Sequence, residues 1–139
     1  MSLETRVSIA EAEQLVKEAF LRNGVKEAVA VSVSTALVAA EAEGQVGHGF
    51  SRVKDYLAQV KSKKINVDAK IQIEHPKPTS ISIDADYGFA YPALDQAISE
   101  GALTAKEYGS AIVSIFNSHH GGALSVQVEK IAKQGLIGV

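Results

Sequence analysis

The sequence predicts a mixed α/β (α+β) fold in which a helical N-terminal piece leads into a sheet. Three observations predict it. Apolar residues recur at helical spacing through three consecutive segments; two short alternating runs follow; a helix, an apolar strand, a glycine-containing loop and a further helix then complete the succession. No repeat, linker or low-complexity tract interrupts this order.

The first helix starts at Ser8, three residues before Glu11 in capping-box spacing, and carries Leu15, Val16, Ala19 and Phe20 at helical intervals until Asn23 and Gly24 stop it. The second is expected over about 26–43, where Val29, Val33, Leu37, Val38 and Ala40 form a small-residue stripe that Gly44 ends. Its alternating "VAVSVS" would also suit a strand, but the length of the run and its alanines favour helix. The third, "FSRVKDYLAQVKSKK", places Val53, Tyr56, Leu57 and Val60 on one face and gathers lysines at its end, where the helix dipole favours cations.

The runs "AKIQIEH" and "TSISIDA" alternate as strands do, and the "PKP" between them imposes extended or turn geometry, so they predict a strand pair. A helix follows from about Pro92 to Gly109, with Gly101 weakening its middle. Then come "SAIVSIF", which reads as a buried strand, the loop "NSHHGG", and a helix from about Gly122 to Lys133. The closing "GLIGV" reads as the start of another buried strand, which predicts that the sequence is a piece of something longer. The expected division is a helical N-terminal subdomain, 1–66, and the start of an α/β domain, 67–139.

Composition narrows the function classes. With 139 residues, 46% hydrophobic and 22% charged, the chain can bury a core and is not disordered. Its 14 basic and 16 acidic residues are interleaved to a net charge of -2, leaving no basic stripe for nucleic acid or anionic lipid. Cysteine is absent, which removes disulfides, thiolate nucleophiles and cysteine-based zinc sites. The start lacks a signal-peptide pattern, and "AVAVSVSTALVAA" is too short and hydroxyl-rich for a membrane span, so the expected compartment is the cytoplasm.

Histidine is the scarce candidate for chemistry, at positions 48, 75, 119 and 120. His75, in "EHPKP", reads as an exposed turn residue. His48 lies between glycines in "GHGFSR" with Arg52 four residues on; a helix starting near Gly49 brings both to the face of its first turn. Together with free amides at a helix N-terminus they would form a positive bowl for a carboxylate. The plainer reading is a helix-capping histidine and a solvated arginine. His119 and His120 stand at the carboxyl end of a strand and before a helix, where α/β sheets place ligands. Gly121 and Gly122 permit positive φ or close approach of backbone to a ligand, and the following amides could face a cofactor phosphate. There is no G-x-G-x-x-G and no P-loop. Adjacent side chains diverge, so only one of the two histidines can enter a pocket, and neither spacing nor neighbours suit a metal. Whether the two histidine loops converge is left open by spacing.

Three segments, "AEAEGQVGHGFSRVKDYLAQV", "ISIDADYGFAYPAL" and "AIVSIFNSHHGGALSVQVEKIAKQGLIGV", together resemble the malate/L-lactate dehydrogenase family of the second type, in the same order from about Ser8 to Val139. That family includes ureidoglycolate dehydrogenase, diketogulonate reductase and reductases of piperideine and pyrroline carboxylates. The resemblance implies the N-terminal portion of a chain more than twice as long, with a mixed sheet of non-Rossmann type, in a homodimer. It also implies reversible hydride transfer between NAD or NADP and a small 2-hydroxy/2-oxo acid such as malate or lactate, with a cyclic 2-imino acid as the alternative.

By motif match, the resemblance makes His48 the acid/base residue and Arg52 the substrate-carboxylate residue. His120 becomes the second active-site histidine, touching substrate and cofactor, and Gly121, Gly122, Ala123 and Leu124 lie along the cofactor. His119 falls on a variable position. Gly47 stands where the family usually has serine, and Gly121 where it has an aromatic. A 2-oxo acid needs a held carboxylate, a hydride donor over C2 and a proton donor at the carbonyl oxygen; Arg52 suits the first and His48 or His120 the last. A non-catalytic α/β binding module is the competing class, and a metal-dependent hydrolase a distant third.

Overall fold

The structure, a computed structural model, describes residues 5–139; residues 1–4, part of the stretch without a signal pattern, lie outside the described residues. The order of elements is α1 (Ile9–Leu21), α2 (Glu27–Ala42), α3 (Ser51–Lys61), β1 (Gln72–Lys77), β2 (Ser80–Asp84), α4 (Ala90–Tyr108), β3 (Ile112–Phe116) and α5 (Leu124–Ala132). The mixed helix-and-sheet class is as expected. Among the described residues no helix is long and apolar enough to cross a membrane.

The capping box at Ser8 forms in full: the Glu11 N–H donates to Ser8 Oγ at 3.2 Å and the Ser8 N–H to Glu11 Oε2 at 2.8 Å. Behind that start, Val16 and Phe20 of α1 pack on Val33 and Leu37 of α2, and Tyr56 of α3 joins the same core. Phe89 and Tyr91, at the start of α4, also belong to it. Phe89 meets Phe20 edge-on at 5.7 Å and Tyr56 at 5.8 Å, so the entry to α4 is fixed by aromatic packing inside the helical part.

β1 and β2 pair antiparallel, as the alternating runs predict, with a register shift between Glu74 and Lys77. Pro76 falls in that irregular interval, where a residue without an N–H costs the ladder no bond. β2 and β3 are parallel and α4 is the crossover between them, packing Ala93 and Ala97 over Ile81 and Ile83. Gly101 has a reason to sit mid-helix: a Cβ there would lie 3.0 Å from Val113 Cγ2, so its absence lets α4 lie close on β3.

Two expectations are corrected. β3 is not buried on both faces: the sheet order is β1-β2-β3, α4 covers one face, and Ile112 and Phe116 on the other are 73% and 48% exposed. "GLIGV" forms no strand among the described residues; Gly138 lies against the Ile131 side chain at the end of α5, and Ile137 is exposed. Apolar composition admits a strand there, but a strand exists only with a ladder partner, and no described strand pairs with these residues.

Candidate active site

The His48 turn is built almost entirely from its own neighbourhood. The Gln45 N–H donates to Ala40 O at 2.8 Å and the His48 N–H to Gln45 O at 2.8 Å, which winds the chain off α2. Glu41, on the last turn of α2, accepts the Phe50 N–H at 2.8 Å, and Ser51 Oγ donates to Val46 O at 2.6 Å. Gly49 is buried against Glu41: a Cβ would come within 2.9 Å of the Glu41 Cα, so only glycine passes there. Arg52 Nε donates to the Gly47 carbonyl at 2.7 Å, and one terminal nitrogen lies 3.6 Å from Asp55.

These bonds correct the expected bowl of free amides. The Phe50 N–H is taken by Glu41, the Arg52 N–H by Gly49 O at 3.0 Å and the Val53 N–H by Phe50 O at 3.1 Å. The group here aimed outward for an anion is Arg52, oriented by its bond to Gly47.

The second loop is held from a distance. At the end of β3, Asn117 takes a left-handed backbone (φ 49°); its carbonyl accepts the Tyr87 N–H at 2.7 Å and its Nδ2 donates to Asp84 Oδ1 at 3.1 Å. From there the adjacent histidines diverge, as their spacing requires. His119 Nε2 donates to Lys64 O at 3.0 Å, tying the loop to the segment after α3. His120 turns the other way and stacks on His48, with ring centroids 5.6 Å apart and planes 20° from parallel. The two histidine loops therefore converge.

Behind His120 lie two tyrosines that the sequence reading treats only as apolar filling or leaves out. Tyr56 Oη is 3.0 Å from His120 Nδ1 and 3.0 Å from Tyr91 Oη. The Gly122 N–H donates to the same Nδ1 at 3.2 Å. Tyr56 stands four residues after Arg52, one helical turn along the face that the histidine motif already marks, and that interval is the signal by which sequence could have found it. Tyr91 carries no such signal. Burial raises the pKa of both phenols, Tyr91 more strongly. For His120, burial first and then the charges of Arg52 and His48 lower the pKa.

Outside the pair, Gln45, Ser125 and Glu43 bind one another across the two loops: Gln45 Nε2 donates to Ser125 Oγ at 2.6 Å, and Ser125 Oγ to Glu43 Oε2 at 2.8 Å. His75 lies exposed on β1, 3.7 Å from Glu100, within the strand rather than in the turn expected for it. It lines a separate cleft of about 550 Å³ with Lys77 and Thr104, away from the histidine pair. No group of three or more histidine and carboxylate side chains suited to a metal occurs among the described residues.

The segment expected to face a cofactor fits that use in part. No side chain caps the first turn of α5, and Leu124 is 73% exposed beside it. Gly121 has space, a Cβ there meeting only Leu94 at 3.4 Å. The Gly122 amide, however, is turned inward to His120, so it is not one of the groups facing out.

The sequence model described as malate/L-lactate dehydrogenase matches residues 7–139. The chain is 37% identical over 131 residues to (2R)-3-sulfolactate dehydrogenase (NADP(+)) of Chromohalobacter salexigens, covering 94% of this chain and 39% of the relative. It is 30% identical to ureidoglycolate dehydrogenase (NAD(+)) of Escherichia coli O157:H7, over 96% of this chain and 38% of that one. In three dimensions it resembles delta1-piperideine-2-carboxylate reductase of Pseudomonas syringae, with a TM-score of 0.90 at 32% identity, over 95% of this chain and 40% of that one. The chain thus spans about two fifths of the length of the relatives it matches.

Proposed function

The chain belongs to the malate/L-lactate dehydrogenase family, and from that premise we propose that it forms the proton-handling wall of an NAD(P)-dependent dehydrogenase or reductase. The substrate is a small 2-hydroxy/2-oxo acid such as malate or lactate. The observation that carries this reading is the stacking of His48 on His120 beside Arg52, three polar groups brought from the turn into α3, from α3 itself and from the distant loop after β3. Arg52, its Nε already bound to Gly47, offers its terminal nitrogens to the substrate carboxylate. His48 exchanges the proton at the oxygen of C2, and His120 touches the same oxygen. Gly121, Gly122, Ala123 and Leu124 line the nicotinamide cofactor, NAD or NADP. That group, when bound, supplies or accepts the hydride.

A cyclic 2-imino acid is the second reading. The structural likeness to a piperideine-2-carboxylate reductase supports it, as does glycine rather than an aromatic at 121, which leaves room for a ring. The Arg52 clamp serves either substrate, because both carry a carboxylate on the reacting carbon. The same reading carries a homodimer in the cytoplasm, and a division of the chain near residue 66 into a helical part that bears His48 and an α/β part that bears His120.

The test is the fall in NADH and NADPH absorbance with pyruvate, oxaloacetate and pyrroline-2-carboxylate, and its rise from NAD or NADP with ureidoglycolate, using the protein that carries this chain. Turnover of a 2-oxo or 2-imino acid is expected; none with any of them rejects the reading. Arg52→Met is expected to raise KM by roughly tenfold to a hundredfold, since a charge-assisted contact is lost. His48→Ala instead lowers kcat. Equal small effects of the two substitutions reject the role assignment.

A further inference from the structure

We infer that Tyr56, anchored by Tyr91 and acting with the Gly122 amide, is a positioning residue that holds His120 as its Nε2–H tautomer, so that His120 offers a hydrogen-bond donor to the substrate while His48 exchanges the proton. This rests on the reading above of the histidine pair as the reacting site.

The polarity follows from a group that cannot reverse. His120 Nδ1 has two partners, Tyr56 Oη at 3.0 Å and the Gly122 amide nitrogen at 3.2 Å. A backbone N–H only donates, so Nδ1 accepts and carries no proton. The proton of the neutral ring is then on Nε2, the nitrogen turned away from both partners. A tyrosine hydroxyl can point either way, but beside an accepting Nδ1 it donates. Its oxygen is left to accept from Tyr91 Oη at 3.0 Å. The other acceptor within reach, the His120 carbonyl, is longer at 3.5 Å. The chain of donation runs from Tyr91 to Tyr56 to His120, with the Gly122 amide as its fixed stop.

The fold isolates the two tyrosines of this chain from water. Tyr56 is 3% and Tyr91 2% exposed, so solvent does not replace either hydroxyl. Gly122 makes the closure possible: it has φ +71°, and a Cβ there would sit 3.0 Å from Tyr91 Cε1, nearer still to the hydroxyl. The charged and titratable groups that face His120 are His48 from the turn before α3, Arg52 and Tyr56 from α3, and Tyr91 from α4. Both phenols stay protonated because burial raises their pKa, so the donors persist through neutral pH. A ring with Nδ1 engaged twice has only Nε2 to present, and presents it as N–H.

Long-range 1H–15N correlation spectra of the histidine rings read the tautomer directly. In the unaltered protein the neutral His120 ring is expected with Nδ1 bare and Nε2 protonated; a ring protonated on Nδ1, or an even mixture, overturns the proposal. Tyr56→Phe keeps the ring that packs on Phe89 and removes only the donor. There the Gly122 amide still favours the Nε2–H form, but the Nδ1–H form is expected to rise to a detectable share, His120 to titrate at higher pH, and kcat to fall about tenfold with KM little changed. Tyr91→Phe should move the same readouts in the same direction by less. An unchanged tautomer and titration in Tyr56→Phe, even with reduced kcat, removes the positioning role. The spectra need no turnover, so failure to reduce any 2-oxo or 2-imino acid counts against the reaction assigned above and not against the tautomer.

Discussion

The two histidines are presented by loops of opposite construction. Apart from the link of Gln45 and Glu43 to Ser125, the His48 turn is closed by bonds that begin and end between Ala40 and Asp55, so its shape is mainly a property of one short stretch. The His120 loop has almost no such closure. It is pinned by Asp84, Tyr87, Lys64 and Tyr56, which belong to three other parts of the chain. A locally closed loop keeps its geometry when distant packing loosens, whereas a loop pinned from afar reports on every element that supplies a pin. The site therefore joins a member preset by its own stretch to a member whose orientation depends on the whole fold.

Breaking the second loop at its stop should give the largest effect. Gly122→Ala places a side chain in a left-handed backbone and drives its Cβ toward the Tyr91 hydroxyl. The strain and the clash together should cost about 3 kcal/mol. Denaturant unfolding should show that loss, and the stacked contact with His48 should disappear from histidine ring spectra. Stability within 0.5 kcal/mol of the parent, an order of magnitude set by harmless surface changes, would mean that the loop tolerates reshaping and that the distant pins do not control it.

A smaller effect is expected from removing one pin outright. Asp84 Oδ1 accepts from Asn117 Nδ2 at 3.1 Å and from the Asp86 N–H at 2.9 Å. Asp84→Ala leaves both donors unmatched in a partly buried place and should cost about 1.5 kcal/mol. His120 ring signals should shift, and those of His48, whose own turn is untouched, by less. Equal shifts in both would erase the difference between the loops.

The same contrast explains what could be read from the sequence. The capping box, the order of elements, the antiparallel hairpin and the divergence of His119 from His120 all follow from neighbours within a few residues, and these were legible. So was the closeness of His48 and Arg52, though the amides around them are spent internally and do not form the bowl. What could not be read is what depends on elements meeting. The exposed face of β3 follows from sheet order, the stacking of His48 on His120 from the α4 crossover, and the Tyr91 contribution from aromatic packing against α1 and α3. Tyr56 lies between these cases. Its place one turn after Arg52 was visible, yet its hydroxyl acquires a partner only when the second loop arrives.

The smallest expected effect concerns the glycine that departs from the resembled family beside His48. A Cβ at Gly47 meets nothing within 4 Å and its φ is not positive, so the backbone there does not require glycine as Gly122 does. The contribution of Gly47 is its carbonyl, which orients Arg52 and which any residue would supply. Gly47→Ser is therefore expected to change stability by less than about 0.5 kcal/mol and to leave the KM set by Arg52 unaltered. A serine hydroxyl next to His48 would act, if at all, on kcat. A rise in KM would instead mean that the bond from Arg52 to residue 47 depends on the bare glycine backbone, and the His48 turn would lose its standing as the self-sufficient half of the site.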